Sequence, residues 1–116
     1  MRYEIVAARI LLAQLFLLGG VQKVLDPGPA QELLTRFALP AALVWPAFAF
    51  NLLVGAALLL GWRLHTAALL AAAYCGVTSL FHLLPSDPWQ MTIFVKNWAI
   101  AGGCLALAAT ARAGQG

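Results

Sequence analysis

The chain has 116 residues, 63% of them hydrophobic and 9% charged, with a formal net charge of +3. A chain this short has too much surface for its volume to hide so much apolar side chain from water, which excludes an ordinary soluble domain and points to a single transmembrane domain over residues 1–116. The positive excess is scattered, with no block of Lys or Arg, and that argues against nucleic acid as a partner.

Four apolar stretches, about 5–24, 41–61, 64–84 and 91–111, each match the roughly 20 residues that cross a bilayer. All four carboxylates, Glu4, Asp26, Glu32 and Asp87, lie outside them. The first stretch is long and lacks a small-residue cleavage site, so it is expected to stay as a span rather than be removed as a signal peptide. It stops at Asp26-Pro27-Gly28-Pro29, a strong turn signal. An amphipathic segment follows over 30–38, with Ala30, Leu33, Leu34 and Phe37 on one face and Gln31, Glu32, Thr35 and Arg36 on the other. Its pattern predicts a short interfacial or re-entrant helix, closed by Pro40.

The second stretch carries Pro46 one turn inside, where a kink is expected. Only Trp62-Arg63 separates it from the third, which forces those two helices to be antiparallel neighbours. Pro85-Ser86-Asp87-Pro88-Trp89-Gln90 makes the next turn. The expected fold is therefore all-α: an integral membrane four-helix bundle, up-down-up-down. Pairs of small residues, Ala72 with Gly76, Ala99 with Gly103 and Gly102 with Ala106, supply candidate close-packing faces. Arg2, Arg9, Arg63 and Arg112 on one side outnumber Lys23, Arg36 and Lys96 on the other. That bias puts both termini in the cytoplasm of a multi-pass cell-membrane protein, with Trp62 and Trp89 in the aromatic belts.

Polar groups are costly at membrane depth, so those that the stretches retain mark candidate function. Lys23, His82, Lys96 and Asn97 converge by depth just below the outer surface, while Gln14 and Asn51 lie deeper. Phe81, Phe94 and Trp98 neighbour that zone in sequence. Arg9, near the inner end of its span, is expected to snorkel or to meet lipid phosphate. Two lysines, an imidazole and amides, with no acid among them, suit an anion or a carbonyl oxygen. A quinone head group and a lipid phosphate are the natural ligands. No haem is expected, because His65 and His82 lie at opposite ends of one span, and no metal, because ligands do not cluster. Cys75 and Cys104 form no CxxC; two small buried hydrophobes is the plain interpretation and a redox pair the sharper one.

In the order and spacing of its short motifs the chain resembles the DoxX family of small four-span membrane proteins. The resemblance runs over nearly the whole length. It rests on Ala8-Arg9, Gly20-Val21-Gln22-Lys23, Gly55, His82, Phe94-Val95-Lys96-Asn97 and Gly102-Gly103. It implies the bundle fold and an association with membrane redox systems, since the family is named for a subunit of a thiosulfate:quinone oxidoreductase. Lys23, His82, Lys96 and Asn97 match positions recurring in the family pattern, whereas Asn51 stands where relatives often carry an acid, so no proton-linked role for that acid carries over.

Two functions follow as expectations. The first is a subunit of, or accessory to, a membrane redox system that binds a quinone or similar lipid-soluble ligand near the outer face. The second is a non-catalytic assembly factor or scaffold for a partner membrane protein. Besides the bilayer, the candidate partners are a membrane or soluble oxidoreductase subunit and a second copy of the chain. Proton-coupled export is disfavoured by the absence of an acid in any span, and thiol oxidation by the absence of a CxxC. Any enzymatic activity is expected to depend on a partner.

Overall fold

The computed structural model describes residues 2–115, with side chains from Tyr3 to Ala111. Five α-helices follow in chain order: α1 (Arg2–Leu25), α2 (Gly28–Arg36), α3 (Val44–Leu60), α4 (Leu64–Ser79) and α5 (Pro88–Gln115). Single 3-10 turns, Ala41–Leu43 and Leu80–His82, precede α3 and extend α4. Four helical segments are long and apolar enough to cross a membrane: Tyr3–Leu25, Ala41–Leu60, Leu64–His82 and Pro88–Ala111. The all-α four-span bundle expected from hydropathy is the fold observed. The side chains of Arg2 and Arg112, which entered the orientation argument, lie outside the described residues.

The bundle is built from two close pairs, α1 on α3 and α4 on α5, which meet along α3–α4 and more sparsely along α1–α5. Its core is rich in alanine: Ala13, Phe16, Val54, Ala57, Leu58, Ala67, Ala68, Ala71, Cys75, Cys104 and Ala108 are all buried. Small side chains let helix axes approach closely, which is how membrane helices gain dispersion energy without a hydrophobic driving force.

The glycines that permit close approach are on the α1–α3 seam, and of the small residues expected to pack closely only Ala72 is buried. A Cβ at Gly55 would lie 2.7 Å from Leu17 Cγ and 3.2 Å from its backbone nitrogen. One at Gly19 would lie 3.0 Å from the Asn51 amide, and one at Gly20 3.0 Å from Leu52. Gly76, Gly102 and Gly103, by contrast, have nothing within 4 Å of where a Cβ would stand. The four-residue spacing that suggested them occurs on any helix face, and only the neighbouring helix decides which face is used.

Helix ends explain the turns. Gly61, at φ +76°, closes α3 in the left-handed conformation, and Trp62 N–H bonds back to Ala57 O at 3.0 Å. Arg9 completes this end: its Nε donates to Leu58 O at 3.0 Å and its Nη2 to Leu59 O at 2.9 Å. These carbonyls lack helical partners, and a cation at the negative end of the helix dipole is favourable. Arg9 thus serves α3, because two orphan carbonyls of the neighbouring helix lie within its reach. Pro46 falls in the first turn of α3, where its missing N–H would have had no partner, and the helix continues unbroken to Leu60. At the other side of the membrane Asp87 caps α5, its Oδ1 accepting from Trp89 N–H at 3.1 Å and Gln90 N–H at 3.3 Å.

The segment between the first two spans does not lie apart from the bundle. Helix α2 packs against the start of α3 and the Leu80–His82 turn. Phe37 meets Phe81 edge-on, with centroids 5.2 Å apart and an interplanar angle of 89°. It therefore covers part of that end of the bundle, although none of its own side chains is buried.

Gly55→Ala is expected to destabilise the bundle by about 1–3 kcal/mol through overpacking against Leu17. Gly102→Ala should stay within about 0.5 kcal/mol of the parent. Unfolding in detergent micelles checks both, and equal stabilities would refute the α1–α3 seam as the tight one.

Candidate functional site

Asn51 is the deepest polar junction. It sits midway along α3, only 3% exposed, where hydrocarbon and protein surround it and no water can hydrogen-bond its amide. Its orientation follows from what faces it. With the amide nitrogen toward two oxygens, it donates to Tyr74 Oη at 3.1 Å and to Ala47 O at 3.1 Å. Its carbonyl oxygen then accepts from Lys23 Nζ at 3.3 Å. Three helices, α1, α3 and α4, are thereby tied through one side chain. Gly19 makes the junction reachable, since any side chain there would push α1 away from the Asn51 amide.

Aromatic rings wall this cluster. Phe50 stacks on Tyr74 at a centroid distance of 4.7 Å and an interplanar angle of 25°, and Phe16 tilts against the same ring at 6.3 Å. Donors remain after the internal bonds are made. The Lys23 ammonium has three N–H groups and gives one to Asn51, and Tyr74 Oη, which accepts from Asn51, keeps its own hydrogen.

Of the six residues expected to line a site, the structure joins Lys23 to Asn51 and places the others apart. His82 is in the 3-10 turn after α4, and its Nδ1 pairs with Gln90 Oε1 at 2.6 Å, the imidazole donating to the amide oxygen. The helical rise puts it about 12 Å along the axis from Tyr74. Lys96 stands exposed on α5, and Asn97 is half-buried with no hydrogen bond among the described residues. Gln14 lies exposed on the outer side of α1. Position along each helix was legible for all six, but which side of the helix meets protein was not, since azimuth turns by about 100° per residue and the neighbouring helices decide which direction is covered. Tyr74 was missed, although a signal existed: a tyrosine in mid-span is far from the interfacial belts and its hydroxyl must find a partner inside.

The two cysteines are free and buried. His65 Nδ1 donates to Ala108 O at 2.8 Å, which together with the His82–Gln90 pair sets the antiparallel register of α4 and α5. That register offsets Cys75 from Cys104 by roughly 9 Å along the axis. Disulfide geometry requires Cα atoms within about 7 Å.

A separate groove of about 280 Å³ opens between the N-terminal half of α1 and the C-terminal half of α5, lined by Ile5, Ala8, Gly103, Ala106, Leu107 and others. It does not reach Lys23 or Asn51, and its lining carries no donor set comparable to theirs.

The sequence matches the family described as DoxX over residues 5–84, a stretch that contains Lys23, Asn51 and Tyr74 and ends before α5. Inner membrane protein YqjF of Escherichia coli (strain K12) is 30% identical over 107 residues, covering 91% of this chain and 82% of that protein. No solved structure matches.

Asn51→Leu should cost about 1–3 kcal/mol of stability, because it leaves a buried hydroxyl and an ammonium without their partner. Tyr74→Phe should cost about 1 kcal/mol or less, since Asn51 still bonds to Ala47. Equal costs in detergent unfolding would remove Asn51 as the junction. Both cysteines should label fully with a thiol reagent under denaturing, non-reducing conditions; a protected pair would show that α4 and α5 slide.

Proposed function

The chain belongs to the DoxX family of integral membrane proteins, and from that premise we propose that it binds the polar head of a lipid-soluble carbonyl compound, a quinone being the natural case, at Lys23 and Tyr74. The observation that carries this reading is the Lys23–Asn51–Tyr74 junction: a cation at membrane depth whose partner among the described residues is an amide, not a carboxylate. An ion pair would have spent the lysine's donors internally. Here two ammonium N–H groups and a phenolic O–H remain, beside the stacked rings of Phe50 and Tyr74.

These groups suit a quinone. Its carbonyl oxygens accept hydrogen bonds, its ring takes apolar and aromatic walls, and its isoprenoid tail belongs in lipid. Bound there, a quinone would supply two-electron redox chemistry to a partner protein. The chain's own part is to hold and orient the head group: Lys23 donates to a carbonyl, Asn51 keeps Lys23 from swinging toward the headgroups, and Tyr74 offers a second donor. Helix α2, docked over the outer end through Phe37 and Phe81, limits water on that side. The reading places the protein in the cell membrane with both termini cytoplasmic, as a subunit of or accessory to a redox complex. The inner-membrane relative is consistent with that location.

A scaffold or assembly factor is the second reading. It is favoured by the small-residue positions Gly76, Gly102 and Gly103, whose capacity for close approach is unused within the chain.

Native mass spectrometry with lipid extraction on gently solubilised protein separates the two. The expected result is one quinone per chain, lost in Lys23→Met and weakened in Tyr74→Phe, but retained in Lys96→Met. Protein that carries no quinone and holds only a second polypeptide would transfer the assignment to the scaffold.

A further inference from the structure

Gln14 sits at the midpoint of α1, about 17 Å from either end of the helix, too far for a short amide to reach water or headgroups. It is exposed and makes no hydrogen bond among the described residues. Lys96 is also exposed, but its long side chain leans toward the N-terminal, outer end of α5 and can snorkel. The Gln14 amide has no such escape, and hydrocarbon offers it neither donor nor acceptor.

The residues that share its face form a repeat. Ala7, Leu11, Gln14, Leu18, Val21 and Leu25 are spaced alternately by four and three, and all are exposed. This is the a/d spacing of a left-handed coiled coil, with Leu11, Leu18 and Leu25 at a and Ala7, Gln14 and Val21 at d. Exposed leucines are ordinary on a lipid-facing helix, so they do not identify a surface by themselves. An amide at the centre of their seam does, because it needs a polar partner at its own depth.

We propose that α1 pairs with α1 of a second copy of this chain along this seam, with the two Gln14 side chains hydrogen-bonded across a two-fold axis normal to the membrane. Two copies inserted in the same orientation run their first helices parallel, which puts each Gln14 at the same depth as its counterpart. A primary amide carries both donor and acceptor, so the pair is self-complementary, as a two-fold interface requires. A single polar residue within an apolar seam of this spacing favours the register in which it meets its counterpart. The seam faces away from Phe16, Gly19, Gly20 and Lys23, which turn toward the rest of the bundle. Pairing therefore leaves the Lys23–Asn51–Tyr74 junction intact.

The test uses the full chain with Cys75→Ala and Cys104→Ala, reconstituted in lipid vesicles, with one cysteine introduced at a time. Leu11→Cys and Leu18→Cys should give disulfide-linked dimers on mild oxidation, whereas Leu53→Cys, on the 72%-exposed position of α3, should not. In energy transfer between labelled copies, Gln14→Leu should weaken association about tenfold and Gln14→Asn much less. Gln14 faces out of the bundle, so its loss leaves the monomer fold in place, and circular dichroism confirms this. Cross-links as strong at position 53 as at 11 and 18, or association unchanged in Gln14→Leu, would overturn the proposal.

Discussion

Hydrocarbon supplies no hydrogen bonds, and that constraint organises the polar side chains of this bundle. Arg9 caps two carbonyls at the end of α3, His65 donates to a carbonyl of α5, and the hydroxyls of Thr78 and Ser79 bond back into their own helix. Among the described residues no buried side-chain nitrogen or oxygen lacks a partner. These bonds do more than satisfy groups. Each one between helices fixes a relative height, so the register of α1 on α3 and of α4 on α5 follows from where polar side chains must meet.

Packing obeys the same economy of space. Lipid is as apolar as leucine, so a helix pair gains by close approach rather than by escaping solvent. Gly19, Gly20 and Gly55 bring α1 against α3, and alanines bring α4 against α5. The Asn51 junction depends on the first of these contacts. Were Gly19 larger, the Lys23 ammonium and the Asn51 carbonyl would separate, and each would lose its counterpart in a medium that offers no substitute.

The functional reading grows from that junction because it is both satisfied and unfinished. Asn51 is fully engaged, whereas Lys23 and Tyr74 keep hydrogens that no described residue accepts. A network closed on itself would be structural glue. One that ends in spare donors beside aromatic rings, at membrane depth and in a family of four-span membrane proteins, has the chemistry to hold an acceptor arriving from the lipid. The outward-facing Gln14 is unfinished in another sense, its needs met by an identical group rather than by a carbonyl ligand. The two features point in opposite directions from α1, and the helix serves both.

Sequence by itself determined that the chain has four helices long and apolar enough to cross a membrane, where the turns fall, and how far along its helix each polar residue lies. Hydropathy and helical rise are one-dimensional quantities, and a string of residues carries them completely. It also contained the α2 amphipathic pattern, though not its docking, which rests on Phe37 meeting Phe81 from a distant part of the chain. Tertiary structure alone decided azimuth: that Arg9 turns to α3, that Lys23 reaches Asn51 and Tyr74 while His82 turns to Gln90, and that Gly55 rather than Gly102 is the point of close contact. The physical reason is that a helix presents every residue to some direction, and which directions hold protein and which hold lipid is settled only when the other helices are in place.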